Sequence, residues 1–192
     1  MERICVFSGS SEGRRAEYRQ MAVALGQELA ARGIGLVYGG ASRGLMGAIA
    51  DAALEAGGEV IGVIPRALFE KEIAHGGLAK LYQVNSMHER KAKMAKLADA
   101  FIALPGGFGT FDELFEIITW AQLGIHHKPI GLLDVADYYS PLLAMVGQAA
   151  EEGFIPRQNL ELIHYEQDPG LLVDLLLAGQ RHLEVVSSGE LV

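Results

Sequence analysis

Short unbroken apolar runs alternate with longer amphipathic stretches along almost all of this 192-residue chain, and that alternation limits the folds open to it. Ile4–Phe7, Gly35–Tyr38, Val60–Ile64, Leu81–Val84, Ala100–Leu104, Ile130–Leu133 and Leu160–Tyr165 read as strands. Several are continuous in Val, Ile and Leu, the pattern of strands covered by helices on both faces. Ala16–Ala31, Gly44–Ala56, Met87–Ala98, Phe111–Leu123, Tyr139–Glu152 and Leu171–Ala178 read as the helices between them. Strands alternating with helices predict an α/β fold, a doubly wound parallel sheet, in which ligands bind beyond the strands' carboxyl ends where strand order reverses. No linker, repeat or low-complexity stretch divides the chain, so one domain is expected over 1–183. A C-terminal tail, 184–192, is expected to fray or to pack on a partner.

The residue totals exclude several functions. The net charge of −8 argues against binding a nucleic acid polymer or an anionic membrane. Any phosphate must therefore be met by a local cluster of donors. Cys5, the one cysteine, lies in an apolar run and offers neither a disulfide nor a thiolate metal site. No stretch reaches about 18 consecutive apolar residues, and MERICVFSGSS lacks the apolar core of a secretory signal. A reducing cytoplasm is the expected setting. His126 and His127 are adjacent and cannot share a helix face, so no metal is expected.

Three glycine- or serine-rich loops follow strands: Ser8–Gly13, Gly39–Gly47 and Pro105–Thr110. Each reads as the opening of a helix, where unpaired N–H groups and the helix dipole favour an anion and glycine lets it approach. Ser8, Gly39, Gly40, Gly107 and Gly109 are therefore candidate binding residues for a nucleotide-like ligand. None of the loops is a dinucleotide fingerprint or a P-loop.

The stretch ALPGGFGTFDE, Ala103–Glu113, carries carboxylates directly after its glycines. Thr110 and Glu113 have the spacing of a capping box, which is one reading of the glutamate. The other is chemical: a first-turn carboxyl is held ionised by the dipole and by N–H donors, and so suits stabilising positive charge or holding a water. Asp112 reads as an ordinary first-turn acid. Glu116 lies one turn on and could share Glu113's face.

The helix SMHERKAKMAKLADA concentrates Arg90, Lys91, Lys93 and Lys96, with His88 as a surface residue. Met87, Met94, Leu97 and Ala98 form its apolar stripe, and Glu89, Lys93 and Lys96 its wet face. Arg90 falls on the stripe, with Lys91 flanking it. An inward guanidinium needs an anion, either a structural partner such as Asp99 or Glu113, or a ligand phosphate. Arg66–Gly77 is too broken for a crossover helix and reads as a flap, from which Glu70 or Glu72 could reach a sugar hydroxyl or an exocyclic amine.

PGGFGTFDE matches the P-G-G-x-G-T-x-x-E signature of the LOG ("lonely guy") family, the cytokinin riboside 5′-monophosphate phosphoribohydrolases. MHERKAKM, YGGASRGLMG and ITWAQLGIHHKPIGLL also resemble that family in order and spacing, and the resemblance runs from about Ile4 to Ile163. It implies a Rossmann-like homodimer that hydrolyses the N-glycosidic bond of AMP or of an N6-substituted adenosine 5′-monophosphate, without metal or cofactor. It places catalysis on Arg90 and Glu113. Substrate contacts fall on Glu72, Lys91, Thr119 and the stretch Gly107, Phe108, Gly109, Thr110, Phe111, Asp112, Glu113. Two competing readings remain: a Rossmann-like carrier of a nucleotide-like molecule, and a pyridoxal-phosphate decarboxylase, for which no lysine has a recognisable setting.

Overall fold

In the computed structural model the described residues are 1–69, 75 and 77–188, with 181–188 described by backbone alone. Glu70 and Glu72, the proposed flap carboxylates, lie outside the described residues.

Seven strands form one parallel sheet: β1 (Arg3–Phe7), β2 (Gly35–Tyr38), β3 (Val60–Pro65), β4 (Lys80–Val84), β5 (Ala100–Ala103), β6 (Ile130–Leu133) and β7 (Ile163–Glu166). Their order is β4-β3-β2-β1-β5-β6-β7. The chain steps outward from β1 to β4 and then returns to the other side of β1, so strand order reverses between β1 and β5. The expected doubly wound α/β sheet is present, and its ligand crevice falls at that reversal.

Side-chain alternation divides the interior into two cores. Ile4 and Val6 on β1, with Leu36 and Tyr38 on β2, pack against α1 (Ala16–Ala31), α2 (Gly44–Glu55) and α7 (Pro169–Ser188). Cys5 and Phe7, with Val37, Phe101 and Ala103, face α4 (Met87–Leu97), α5 (Phe108–Gln122) and α6 (Ser140–Glu151). Both faces of the central strands are dry, which is why those strands read as unbroken apolar runs. The short α3 (Arg66–Phe69) opens the segment read as a flap.

Several boundaries move. The expected strand Leu160–Tyr165 starts later, because Arg157–Leu162 forms 3-10 turns before β7. α7 outruns the expected Leu171–Ala178 at both ends and carries the chain to Ser188, into the expected tail, while 189–192 lie outside the described residues. Among the described residues no helix is long and apolar enough to cross a membrane.

Candidate active site

The loops after β1, β2 and β5 are bonded to one another at the crevice. The Gly9 amide donates to the Pro105 carbonyl at 3.1 Å, and the Gly9 carbonyl accepts from the Leu45 amide at 3.0 Å. Gly44, in the left-handed region at φ +62°, lies so close to the Ser10–Ser11 backbone that any side chain there would overlap it. The expectation of three open helix starts is therefore corrected. The first donors of α2 are turned onto Gly9, and α1 starts at Ala16, with Arg14 and Arg15 separating it from its loop.

α5 differs from α2 in that, among the described residues, no neighbouring loop takes up its first amides. Gly107 is its N-cap, and the first intrahelical bond runs from the Phe111 amide to the Gly107 carbonyl at 3.0 Å. The N–H groups of Phe108, Gly109 and Thr110 consequently have no intrahelical acceptor. A Cβ on Gly107 or Gly109 would meet no atom within 4 Å, and neither residue has a left-handed φ. Packing does not demand glycine at either position; glycine instead keeps the space beside those amides clear.

Starting α5 at Phe108 instead of Phe111 overturns the capping box. Thr110 lies inside the first turn, buried against Gly106, and Glu113 sits in the second turn. Asp112 is likewise not a first-turn acid. The box forms instead at α4, where Ser86 Oγ accepts from the Glu89 amide at 3.1 Å and the Glu89 carboxylate accepts from the Asn85 amide at 2.7 Å. Glu89 is thus a cap and not merely a wet-face residue.

Freed from capping, Glu113 meets Arg90. Arg90 Nη1 lies 3.0 Å from Glu113 Oε1, with side-chain exposures of 9% and 7%. Arg90 Nε also donates to the Val63 carbonyl on β3 at 3.1 Å. Gly39, after β2, gives the guanidinium its room, since a Cβ there would overlap Arg90 Nη2 and Met46 Sδ. Asp99, the other candidate partner, accepts instead from the Glu2 and Arg3 amides. Residues distant in sequence, Gly39, Arg90 and Glu113, are thereby locked together.

Lys91, expected to flank the stripe, is buried. Its ammonium bridges Asp112 at 3.0 Å and Glu116 at 3.1 Å. Burial alone would lower its pKa, but the two carboxylates outweigh that and hold it above the ordinary lysine range. Met87 is 40% exposed and does not belong to the core stripe. Lys93, read as wet, lies over the Tyr82 ring at 4.3 Å. Burial pushes the Cys5 thiol well above its usual range, with the Glu113 charge adding to the effect, so it is unreactive.

The other expected site residues divide between two faces of the α5 start. Ser8 ends β1, and its buried Oγ finds no hydrogen-bond partner among the described residues. Gly40 turns the chain after β2 at φ +80°. Beyond Ser8, a cavity of about 260 Å³ opens between Gly9–Gly13, Pro105–Gly107, Tyr18 and Tyr138. On the outer face of α5, Phe108, Phe111, Asp112, Phe115, Glu116, Thr119 and Trp120 line an open groove. Thr119 Oγ1 is turned inward along its helix, donating to the Phe115 carbonyl at 2.7 Å. Tyr138 and the burial of Lys91 were missed; the one sequence signal for the first was an aromatic pair just beyond β6, at the sheet's ligand edge.

A family model described as "Possible lysine decarboxylase" matches residues 46–176. A probable cytokinin riboside 5′-monophosphate phosphoribohydrolase of Oryza sativa subsp. japonica is 58% identical over 188 residues, covering 98% of this chain and 89% of the relative. A cytokinin riboside 5′-monophosphate phosphoribohydrolase of Arabidopsis thaliana is 54% identical over 161 residues, covering 84% and 75%. Among solved structures, the molybdenum cofactor carrier protein of Chlamydomonas reinhardtii superposes with a TM-score of 0.69 at 23% identity, over 92% of this chain and 98% of that one. At that identity the likeness is one of fold alone.

Proposed function

The chain belongs to the LOG family of cytokinin riboside 5′-monophosphate phosphoribohydrolases, and from that membership we propose that Arg90 and Glu113 carry the hydrolysis. The protein is an N-glycosyl hydrolase: it cleaves an adenosine 5′-monophosphate, N6-substituted or plain, to the free base and ribose 5-phosphate. Relatives more than half identical carry that name, whereas the carrier shares 23% of its residues, so the hydrolase reading stands over the carrier.

One observation supports the residue assignment above the others: a carboxylate and a guanidinium, both buried, are paired one turn above open helix-start amides. The 5′-phosphate is received by the amides of Gly107–Thr110. That placement sets the anomeric carbon near Glu113. As the bond to the base breaks, the ribose gains oxocarbenium character, which the carboxylate stabilises. Water adds its hydroxyl to C1′, and its proton goes to the departing base. Arg90 holds the carboxylate in place, and Lys91, fixed between Asp112 and Glu116, borders the substrate.

Neither Lys91 nor Lys128 supports the "lysine decarboxylase" description. A Schiff base needs a neutral amine with a free path to a carbonyl. Lys91 is kept charged by two carboxylates, and Lys128 Nζ donates to the carbonyls of Ala95 and Ala98. The groove on α5, with Phe115, Leu123 and Ile125 exposed around it, is read as the face of a homodimer. The one cysteine, buried and unpaired, accords with a cytoplasmic setting.

Incubating the protein with AMP or isopentenyladenosine monophosphate, and resolving the products by chromatography, tests the reading. Free base is expected, and its release is lost in Arg90→Ala with the fold retained. Binding without release would return the protein to the carriers.

A further inference from the structure

Two adjacent tyrosines grip the chain between β5 and the glycine loop. The Tyr139 hydroxyl donates to the Leu104 carbonyl at 2.7 Å, and the Tyr138 hydroxyl donates to the Gly106 carbonyl. The carbonyls they hold are two residues apart, on either side of Pro105. Tyr139 is wholly buried in the core, whereas Tyr138 is half-buried and lines the cavity beside Gly9–Gly13.

The turn that presents these tyrosines is strained. Ala136 and Asp137 both adopt left-handed backbone, at φ 54° and 59°. Non-glycine residues avoid that region because Cβ crowds the following carbonyl, so two in succession need support from their surroundings. Asp134 supplies it: its buried carboxylate accepts from the Tyr139 amide at 2.7 Å, and its own amide donates to the Glu166 carbonyl at 2.8 Å. The result is a Tyr138 ring wedged edge-on against Tyr18, stacked over Phe111 and set edge-on to Tyr139.

Strain held at such a spot places one hydroxyl on one carbonyl. Gly106 joins Pro105, whose carbonyl accepts from the Gly9 amide, to the N-cap residue Gly107. Holding its carbonyl fixes the peptide plane that leads into Gly107, and so the direction in which the Phe108–Thr110 amides point. The Phe111 ring, packed under Tyr138, pins the same turn from the helix side.

We propose that Tyr138 is a positioning residue, which sets the glycine loop so that the first amides of α5 receive the substrate's phosphate. This rests on the hydrolase reading above. Tyr138 acts through Gly106 and touches no reacting atom. Its contribution falls on the phosphate end of the substrate and not on the base.

The Tyr138→Phe variant keeps the ring and removes the hydroxyl. Binding of ribose 5-phosphate and of adenine is measured separately by calorimetry, beside KM and kcat for AMP. The expected result is a roughly tenfold loss of ribose 5-phosphate affinity and a matching rise in KM, the size of one hydrogen bond, with kcat and adenine affinity little changed. Tyr139→Phe is the control: it removes a purely interior clasp and is expected to lower Tm without moving ribose 5-phosphate affinity. Wild-type affinity for ribose 5-phosphate in Tyr138→Phe overturns the inference, as does equal weakening of adenine. If the wild-type protein releases no base from AMP or isopentenyladenosine monophosphate, the hydrolase reading fails and the inference falls with it.

Discussion

Replacing Glu113 by Gln tests the proposed site at its centre, because it removes one charge and almost no shape. Its closest atom lies 3.0 Å from Arg90, with less than a tenth of either side chain exposed. With charge centres about 4 Å apart, an effective dielectric of 20 puts the gross attraction at about 4 kcal/mol. Much of that is returned, since glutamine carries no charge to desolvate and still offers a carbonyl to the guanidinium. A net loss of about 1–3 kcal/mol follows, lowering Tm by roughly 2–10 °C. The rate should fall by about 10²–10³, as when a group poised for the transition state is removed. A second variant separates the two effects. Glu113→Gln combined with Arg90→Met leaves no stranded charge, and buried ion pairs replaced by neutral side chains often regain their stability. Melting curves and base release from AMP are then compared across the set. We expect the double variant to recover Tm while its rate stays at least about a hundredfold down. If the rate returns with the stability, or if Glu113→Gln alone keeps full activity, the pair only welds α4 to α5 and the catalytic assignment fails.

Gly39→Ala forces a methyl into the Arg90 guanidinium, and overpacking of this kind costs about 1–3 kcal/mol; base release should fall with Tm, and a wild-type rate would mean the guanidinium's position is immaterial. Gly107→Ala meets nothing in the protein, so stability should fall by no more than about 1 kcal/mol, the cost of an alanine N-cap, while ribose 5-phosphate binding weakens; unchanged binding would remove the phosphate from that loop. His126 gives a dependence on pH. Burial lowers its pKa below 6.5, against an opposing bond to the Ile117 carbonyl, with the charges of Lys128 and His127 adding to the lowering. A depressed histidine favours the folded state above 6.5, and that contribution is lost as pH falls through the folded value. Tm measured against pH should therefore decline more steeply below 6.5 in wild type than in His126→Gln, and parallel curves would exclude the effect.

The fold was legible because its signal is repeated along the chain. Gly35–Tyr38 and Ile130–Leu133 are buried on both faces and read as strands to the residue, and Ala16–Ala31 does so as a helix. Arg90 was legible for the opposite reason: a guanidinium on an apolar helix face conflicts with its surroundings, and the conflict is resolved by Glu113. The start of α5 was misread because T-x-x-E at a helix start and T-x-x-E inside one look alike; the deciding fact, that Gly107 caps the helix, is a backbone angle. Lys91 could not be placed from a helical wheel either, since its burial depends on Asp112 and Glu116 arriving from another element. The Tyr138 clasp depends on two left-handed residues that no apolar period announces.

On the proposed reading this acidic protein receives a phosphate beside a carboxylate, and the pairing of charges keeps it from repelling its own substrate. Arg90 and Lys91 stand against Glu113, Asp112 and Glu116, so the cluster is nearly neutralised from within, and attraction for the phosphate is left to the α5 amides. On the proposed reading, Arg90 then acts twice. It cancels most of the Glu113 field at the distance of the phosphate, yet a carboxylate paired on one side still faces a nearby ribose as a local negative pole. While the sugar is neutral, that pole contributes little to binding. Once positive charge develops at C1′, it stabilises the transition state and not the ground state, which is the condition for raising kcat instead of merely lowering KM.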